Sequence, residues 1–420
     1  MSEMNKEWLS EADALLDVES MTQEIETELI EMLQISSQPP ERIKANIAHA
    51  LRVVETYLAH PFPDNSEDRI YFHIRKKILL KFLGVYQHFK SDERPFYFER
   101  RGIARGGLEA EYIIATENDS GTPLAVKILR SGVNEGVKQC FANEQAVLRK
   151  LNKVYPHNYP PNLIRLHATG DGVTATERVP GGKSLESLIE ADNLDFNLVL
   201  NWISDLAMGL ESLYAAGFES HNDVSPQNCI VGDDMRLVVC DLSMVIRRPV
   251  ESKTSHMHAG GRYEYMAPER FIAYVANGKQ STIDRRSDVF SLAVIVHRLF
   301  TNGRDPFNRD HMKPDEIGTG FYYAVAASAK VIYDHDLLVV DTQGVPVNRN
   351  LLKNFAENNG LKTLESHGCP FDLPEEVLHE IDLLLYSCFQ FDLSKRPLSP
   401  MDFFNKLAVI LQRNFAAQSP

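Results

Sequence analysis

The chain has 420 residues, a length that suits two or three domains, with 44% hydrophobic and 24% charged residues, as in ordinary globular proteins. The formal net charge of −14 argues against a nucleic-acid-binding protein, because contacts with phosphates require a basic surface. No apolar run approaches the roughly 20 residues of a transmembrane helix, so no membrane span is expected.

The first ninety-odd residues show the periodicity of amphipathic helices. Apolar residues recur at spacings of three and four, so that each set lines one face of a helix. The sets are Ile25, Leu29 and Leu33; Ile43, Ile47, Leu51, Val54 and Leu58; and Ile74, Ile78, Phe82, Val85 and Phe89. We predict a helical N-terminal region over residues 1–94, with helix–helix packing as the role of these faces.

Acidic residues dominate the first forty positions, where Lys6 is the lone basic residue. We favour a solvated helix face as the interpretation of this excess. The alternative is an arm that binds a basic regulatory protein partner.

The pattern changes to that of β-strands after Pro95. Three β-prone segments, which contain Phe98, Ile113 and Val126, are joined by short turns and predict a three-stranded meander. From about Ser184 the pattern is mostly helical. We therefore predict an α+β domain over residues 95–420, with a small β-rich lobe over about 95–180, a helical lobe over about 181–420 and a cleft between them.

Charged and amide residues follow this plan in a definite order. Lys127 ends an Ala-Val-Lys run on the third predicted strand, and Glu144 lies seventeen residues later on a predicted helix. Asp223 and Asn228 then occur five residues apart after a helix, and Asp241 follows an apolar strand. Taken singly, each has a plain alternative: a surface salt bridge, or turn residues that satisfy backbone N–H groups.

Together these residues resemble the eukaryotic-type protein kinases, whose catalytic loop reads His-Arg-Asp with Asn five residues past the Asp. The resemblance implies a bilobal protein-kinase-like fold and the use of ATP and Mg²⁺. It implies that Asp223 takes the proton of the acceptor hydroxyl, and that Asn228 and Asp241 hold the metal. Lys127 and Glu144 would form the ion pair that aims an ammonium at the phosphates.

Later elements match protein kinases rather than small-molecule kinases and favour a protein substrate. Glu269 ends a Met-Ala-Pro-Glu segment, and Asp288 lies on a segment that resembles the buried central helix of the family. We predict that Asp288 binds the catalytic-loop backbone and that Arg396 pairs with Glu269. His221, which opens the loop, is assigned a structural role.

The resemblance also places the adenine site. Thr176 would be the gatekeeper, and backbone groups of Glu177 and Val179 would bind the adenine edge. Ala125 and Ile230 would enclose the ring, although core packing is an alternative for both apolar residues.

The phosphate-covering loop departs from the Gly-x-Gly-x-x-Gly pattern of the family. Residues 104–109 begin with Ala104, retain Gly106 and end with Glu109, whose charge would oppose ATP unless the side chain points outward. Gly102 offers an alternative register for this loop.

Further departures concern regulation and specificity. Ser243 replaces the Gly of the metal-binding Asp-Phe-Gly triplet, and Asn222 replaces the loop Arg, as in non-RD kinases. We hypothesise that activity does not require a phosphorylated activation loop, unless another arginine provides a cation. The phosphorylatable residues are Ser252, Thr254 and Ser255, and the arginines are Arg247, Arg248 and Arg262.

Two markers of substrate type are also altered. Ser225 stands where serine/threonine kinases carry a phosphate-steering Lys, and Arg262 stands where they carry a Thr. Serine/threonine specificity is the default, and tyrosine specificity stays open. An extended insert over about residues 308–370 is predicted to fold and to contact protein substrates.

An active protein kinase is the favoured function. The alternatives are a pseudokinase that binds nucleotide or acts as a scaffold, and a kinase-fold enzyme that modifies another substrate. The divergence resembles bacterial and secreted-effector kinases. Scattered cysteines and the absence of a secretory signal pattern predict a cytoplasmic location, with export as an effector left open.

Overall fold

The computed structural model describes residues 18–33, 38–59, 67–87, 98–104, 109–117, 122–130, 132–191, 194–247, 262–275, 283–307, 325, 327–328 and 362–417. The chain divides into two compact units, of which the first comprises Met1–Val133 and Leu166–Arg178. The second comprises Asn134–Arg165 and Val179–Pro420. Most of the insert predicted over residues 308–370 lies outside the described residues.

In its described part, the first unit has three helices before the sheet, α1 (Val18–Met32), α2 (Pro40–Leu58) and α3 (Glu67–Gln87). The described residues of the predicted apolar faces meet in one core, which confirms helix–helix packing as their role, whereas Phe89 lies outside the described residues. This core comprises Ile25, Leu29, Leu33, Ile43, Ile47, Leu51, Val54, Ile78, Leu79 and Phe82. Glu28 on the solvent side of α1 binds the Tyr71 hydroxyl at 2.9 Å, so part of the acidic face is engaged within this unit.

A five-stranded sheet of order β1-β2-β3-β5-β4 forms the rest of the first unit. The strands are β1 (Phe98–Ala104), β2 (Ala110–Glu117), β3 (Pro123–Leu129), β4 (Leu166–Gly170) and β5 (Val173–Glu177). The strands β1, β2 and β3 pair antiparallel in sequence order, which confirms the predicted meander. Leu124, Val126 and Ile128 of β3 are buried, and the alternating position Lys127 belongs to the other face of the sheet.

The second unit begins with α4 (Glu135–Val154), which starts where the Asn134 side chain accepts the N–H of Val137 at 3.0 Å. Short strands and two helices follow. They are β6 (Lys183–Ser184), α5 (Leu185–Glu190), α6 (Phe196–Ala215), β7 (Phe218–Ser220), β8 (Cys229–Val231), β9 (Leu237–Val239) and β10 (Ile246–Arg247). The sheets β6-β8-β9 and β10-β7 hold the two loops that carry Asp223 and Asp241.

Helices make up most of the described remainder of the second unit. They are α7 (Pro268–Val275), α8 (Arg285–Leu299), α9 (Leu364–His367), α10 (Glu375–Cys388) and α11 (Pro400–Ala417). Residues 287–297 of α8 are all buried, so α8 is the predicted central helix. A β-rich part followed by a larger helical part confirms the predicted α+β class. Within the described residues, no helix has both the length and the apolar character needed to cross a bilayer.

Candidate active site

The loop that joins β7 to β8 is anchored to the central helix through Asp288. This carboxylate is 1% exposed and accepts the backbone N–H of His221 at 2.7 Å and that of Asn222 at 2.9 Å. It also accepts the hydroxyl groups of Tyr214 at 2.7 Å and Ser220 at 2.9 Å. Each carboxylate oxygen therefore binds two donors, as a buried charge requires. The predicted contact of Asp288 with the loop backbone is confirmed.

Two residues near this loop have left-handed backbone conformations. The φ angle is 68° at Asn222 and 54° at Asp241. Such conformations are costly for residues other than glycine, and Asn and Asp tolerate them best. They persist where surrounding contacts hold them and are concentrated at functional sites.

Asp223 is held through both carboxylate oxygens. The Asn228 side-chain nitrogen donates to the Asp223 carbonyl oxygen and to Oδ2, both at 2.8 Å. The backbone N–H of Arg262 donates to Oδ1 at 3.3 Å. The carboxylate is thereby oriented while the residue stays partly exposed to solvent, which suits a group that must meet a substrate.

The pKa of Asp223 is raised above its ordinary value, first by burial and then by the charge of Asp241. Arg270, His221 and the hydrogen bond from Asn228 act in the opposite direction. Asp223 and Asp241 are thus close enough for their charges to repel, and a cation between or beside them would relieve this repulsion.

Arg270 is a residue of this site that the sequence analysis missed. It lies in the first turn of α7, is 6% exposed, and its charge interacts with those of Asp223, Asp288 and Glu269. Burial lowers the pKa of its guanidinium, although arginine stays charged in proteins. A buried positive charge is therefore present near the loop of Asp223 even though Asn222 stands where the family carries an Arg. The adjacent Glu269 is the only sequence signal for it.

His221 connects the loop to the strand that precedes Asp241. Its Nδ1 accepts the N–H of Asp223 at 3.3 Å, and its Nε2 lies 3.3 Å from the carbonyl oxygen of Cys240. Since Nδ1 accepts, we assign the proton to Nε2, which then donates to that carbonyl. The side chain is fully buried, in agreement with a structural role.

Asp241 begins a short 3-10 turn, where its Oδ1 accepts the N–H of Ser243 at 3.4 Å. The turn is fastened to α4 by Asn143, whose side-chain nitrogen donates to the carbonyl oxygens of Ser243 at 2.9 Å and Val245 at 3.0 Å. The neighbouring Glu144 is 6% exposed. The helix that carries Glu144 is therefore bound to the turn that carries Asp241. Asn143 was not singled out from sequence.

Other predicted site residues lie in the first unit. The Lys127 ammonium lies 5.7 Å from the centroid of the Tyr112 ring, a cation–π contact across β2 and β3. The Thr176 hydroxyl donates to the carbonyl oxygen of Ala125 at 3.3 Å, and Glu177 lies opposite Leu124 in the sheet. The second unit carries Glu144, Val179, Asp223, Asn228, Ile230 and Asp241. The pairing of Lys127 with Glu144 and the enclosure of adenine stay predictions.

Of the loop predicted to cover the phosphates, residues 104–109, the structure describes only the first and the last residue. Ala104 ends β1 opposite Tyr112, whereas Gly106 lies outside the described residues. Gly102 pairs with Ile114 next to an irregularity in β1, so the alternative register places it in a strand rather than in the turn. Glu109 is exposed, which is the orientation that reduces its repulsion of a nucleotide.

Glu269 and Arg396 form the predicted ion pair. The two guanidinium nitrogens lie 2.9 and 2.8 Å from the two carboxylate oxygens, and the Ser287 hydroxyl adds a bond of 2.6 Å to Glu269. Since Arg270 is the neighbour of Glu269, this pair also fixes the turn of α7 from which Arg270 extends.

Comparisons with known proteins agree with this arrangement. Residues 103–401 match the protein-family profile "Protein tyrosine and serine/threonine kinase". The chain is 30% identical over 225 residues to the receptor-like kinase TMK4 of Arabidopsis thaliana, covering 51% of this chain and 22% of that protein. It is 27% identical over 217 residues to the serine/threonine-protein kinase PknL of Mycobacterium tuberculosis, covering 51% of each. It thus spans about a fifth to a half of these relatives.

The profile covers well over half of the chain, and its range includes the loop of Asp223, the buried Asp288 and the Glu269–Arg396 pair. The chain belongs to the protein kinase family, with the β-rich and helical parts of the bilobal kinase fold.

Proposed function

We propose that the chain transfers the γ-phosphoryl group of ATP to a hydroxyl group of a protein, with serine or threonine as the acceptor. The observation that carries this proposal is a pair of hydrogen bonds to the Asp223 carboxylate. One comes from the Asn228 side chain and the other from the backbone N–H of Arg262. A carboxylate held in one orientation, on a residue that stays partly exposed, suits a proton acceptor for a substrate hydroxyl. The names of PknL and similar relatives support serine/threonine specificity.

In the proposed reaction the acceptor oxygen forms a new bond to the γ-phosphorus, and the bond between that phosphorus and the β,γ-bridging oxygen breaks. ADP leaves with the electrons of the broken bond. The proton of the acceptor hydroxyl passes to a carboxylate oxygen of Asp223. A raised pKa makes Asp223 a better proton acceptor than an ordinary aspartate.

Asn228 and Asp241 suit Mg²⁺. The Asn228 nitrogen is used by Asp223, which leaves the amide oxygen as a ligand, and Asp241 supplies a hard carboxylate beside the charge of Asp223. Among the described residues, no group of three His, Cys, Asp or Glu is placed to hold a metal unaided. This agrees with Mg²⁺, which commonly binds one or two protein ligands together with phosphates. When bound, Mg²⁺ neutralises phosphate charge.

The nucleotide contacts remain part of the proposal. Lys127 would bind the α- and β-phosphates and Glu144 would orient it, while Thr176 would limit the depth of the adenine site. The hydrogen bond from Thr176 to Ala125 supports this placement, because it fixes the side chain against β3 near the end of β5. We also propose protein substrates, a regulatory protein partner for the acidic N-terminus and a cytoplasmic location. The domain boundary at residues 94–95 is likewise a proposal.

A pseudokinase is the second candidate, favoured by the alanine at position 104 and by Ser243 in place of glycine. One comparison separates the candidates: label transfer to protein from the γ- or the α-phosphate of ATP, for wild type, Asp223→Ala and Asp241→Ala. We expect label from the γ-position that both substitutions abolish. Thermal stabilisation by Mg-ATP without label would establish the pseudokinase, and label from the α-position would refute phosphoryl transfer.

A further inference from the structure

The catalytic loop contains no cation of its own. Residues 221–228 include neither Lys nor Arg, and Ser225 is fully buried with a hydroxyl that has no partner among the described residues. The nearby charges of Asp223 and Asp241 are both negative. Phosphoryl transfer spreads negative charge over the transferred group, and a positioned cation accelerates such reactions strongly. A cation from outside the loop, in addition to Lys127 and Mg²⁺, would therefore favour transfer on the acceptor side.

Arg270 does not meet this need. Its side chain is 6% exposed and its charge is engaged with Asp223, Asp288 and Glu269 in the interior. A guanidinium in this position can stabilise the loop, but it cannot reach a substrate that approaches from solvent.

Arg262 has the opposite properties. Its backbone N–H is bound to Asp223 Oδ1 at 3.3 Å, whereas the residue as a whole is exposed. The guanidinium is thus attached one side-chain length from the carboxylate that receives the proton, and it can move in solvent. Arginine is suited to this position because its planar donors bind two phosphate oxygens at once.

The backbone that carries Arg262 is firmly held. The 3-10 turn Tyr263–Tyr265 follows directly, Tyr265 is 5% exposed, and its carbonyl oxygen accepts the Ser291 hydroxyl of the central helix at 2.6 Å. Arg298, which binds Glu186 at 2.9 and 3.0 Å, also contacts the Tyr265 hydroxyl. Because the backbone is fixed, the exposed guanidinium of Arg262 stays near Asp223, and few additional bonds need to be ordered when it binds.

We propose that the guanidinium of Arg262 is a further catalytic group that binds the phosphoryl oxygens during transfer, supplying the positive charge that the loop lacks. The inference rests on the proposed phosphoryl transfer. Arg262 exchanges no proton in this step: the hydroxyl proton goes to Asp223, ADP leaves, and the guanidinium only stabilises the charge of the transferring group.

The test compares Arg262→Ala, Arg262→Lys and the control Arg236→Ala in the full chain. Arg236 is also an exposed arginine, with 48% of its side chain exposed, and it pairs with Asp234 at 3.3 Å in the turn between β8 and β9. We expect Arg262→Ala to lower kcat by roughly 10²- to 10³-fold with little change in the KM for ATP. Lysine should restore part of the rate, and Arg236→Ala should match wild type.

A binding measurement complements the rates. ADP with magnesium and aluminium fluoride imitates the transferring phosphoryl group, so it should raise the melting temperature of wild type above that with Mg-ADP alone. Arg262→Ala should lose this difference while keeping the Mg-ADP effect. Added guanidinium ion should partly rescue the turnover of Arg262→Ala.

Two outcomes would overturn the inference while the proposed function stands. One is an unchanged kcat in Arg262→Ala with an active wild type. The other is a higher KM for the acceptor protein at constant kcat, which would indicate a contact with the acceptor only. A wild-type chain that transfers no γ-phosphate would instead refute the proposed function itself.

Discussion

Arg396 and Glu269 are joined by two hydrogen bonds of 2.9 and 2.8 Å between side chains that are 0% and 6% exposed. Removal of one partner leaves the other charge buried and uncompensated. We expect Arg396→Ala to lower the free energy of unfolding by about 3–5 kcal/mol. Urea denaturation followed by the fluorescence of the buried Trp202, which lies in the same unit, measures this loss.

Lys406→Ala is the matched control, because it breaks a pair with Asp402 whose side chains are 51% and 31% exposed. An exposed pair of this kind contributes only about 0.5 kcal/mol. A loss below about 1 kcal/mol in Arg396→Ala would show that the buried pair is not a major stabilising contact.

Asp288→Asn tests whether the loop depends on its anchor. An asparagine keeps the volume but offers one acceptor oxygen, so either the pair Tyr214 and His221 or the pair Ser220 and Asn222 loses its acceptor. A loosened loop misplaces Asp223. We expect kcat to fall by about 10- to 100-fold, with faster hydrogen exchange at the amides of residues 221 and 222.

Asp205→Asn provides a comparison for this prediction, since Asp205 is a partly buried carboxylate that also accepts a backbone N–H, that of Leu237, at 2.9 Å. This substitution should affect stability and leave turnover close to wild type. Equal losses of kcat in both variants would mean that the anchor at Asp288 has no particular link to catalysis.

Turnover should not depend on phosphorylation of the segment that contains Ser252, Thr254 and Ser255, which lies outside the described residues. Asn222 has no charge, and Arg270 is buried, so neither offers a cation to a phosphate from solvent. We expect the triple alanine variant to retain turnover within about twofold of wild type, with mass spectrometry to record phosphorylation in both. A tenfold loss would instead implicate the exposed Arg247 or Arg262 in binding a phosphorylated segment.

Periodic patterns were readable from the sequence because each depends on residues close together in the chain. The apolar stripe from Ile43 to Leu51 became the buried face of α2, and the alternation along β3 separated Leu124 and Val126 from Lys127. The contacts of Asp288 and Arg396 were predictable for a different reason, because both residues lie in segments that resemble motifs of the protein kinase family.

Single polar residues with distant partners were not readable. Asn143 binds backbone oxygens 100 and 102 residues away, and no pattern around it indicates this. Arg270 is similar, because its interaction with Asp223 arises only when α7 lies against the loop. The strand position of Gly102 depends on an irregularity in β1, which the glycine pattern alone could not distinguish from a turn.

Gly209 on α6 should resist substitution. Alanine has the higher helix propensity by about 1 kcal/mol. However, a Cβ at this position would lie 2.6 Å from the carbonyl oxygen of Asn162, which already accepts the N–H of Val239 at 2.8 Å. We expect Gly209→Ala to destabilise the chain by about 1–3 kcal/mol in urea denaturation. The adjacent Met208→Ala, at a position 40% exposed, should change stability little, and a stabilised Gly209→Ala would show that α6 can move away from Asn162.

His297 on the central helix should make stability depend on pH. The residue is 1% exposed, and its ring nitrogens lie 3.0 and 3.1 Å from the carbonyl oxygens of Arg304 and Lys362. The two carbonyl oxygens and the charge of Asp305 favour the protonated, cationic ring. Burial and the neighbouring His367 oppose protonation. Burial has the largest effect and lowers the pKa of His297 to about 4, so the folded chain holds a neutral ring with one donor.

The unfolded chain binds a proton at the ordinary histidine pKa of about 6.5, above that of the folded chain, so the free energy of unfolding decreases as pH falls from about 6.5 to about 4. The loss is on the order of 3 kcal/mol. His297→Asn removes the contacts of the imidazole ring and should lower the free energy of unfolding at every pH. It should also reduce the difference in this free energy between pH 7 and pH 4.5. His157→Asn, at an exposed position, should keep the wild-type difference. If His297→Asn loses as much stability on acidification as wild type does, the ring of His297 is not the group that binds the proton.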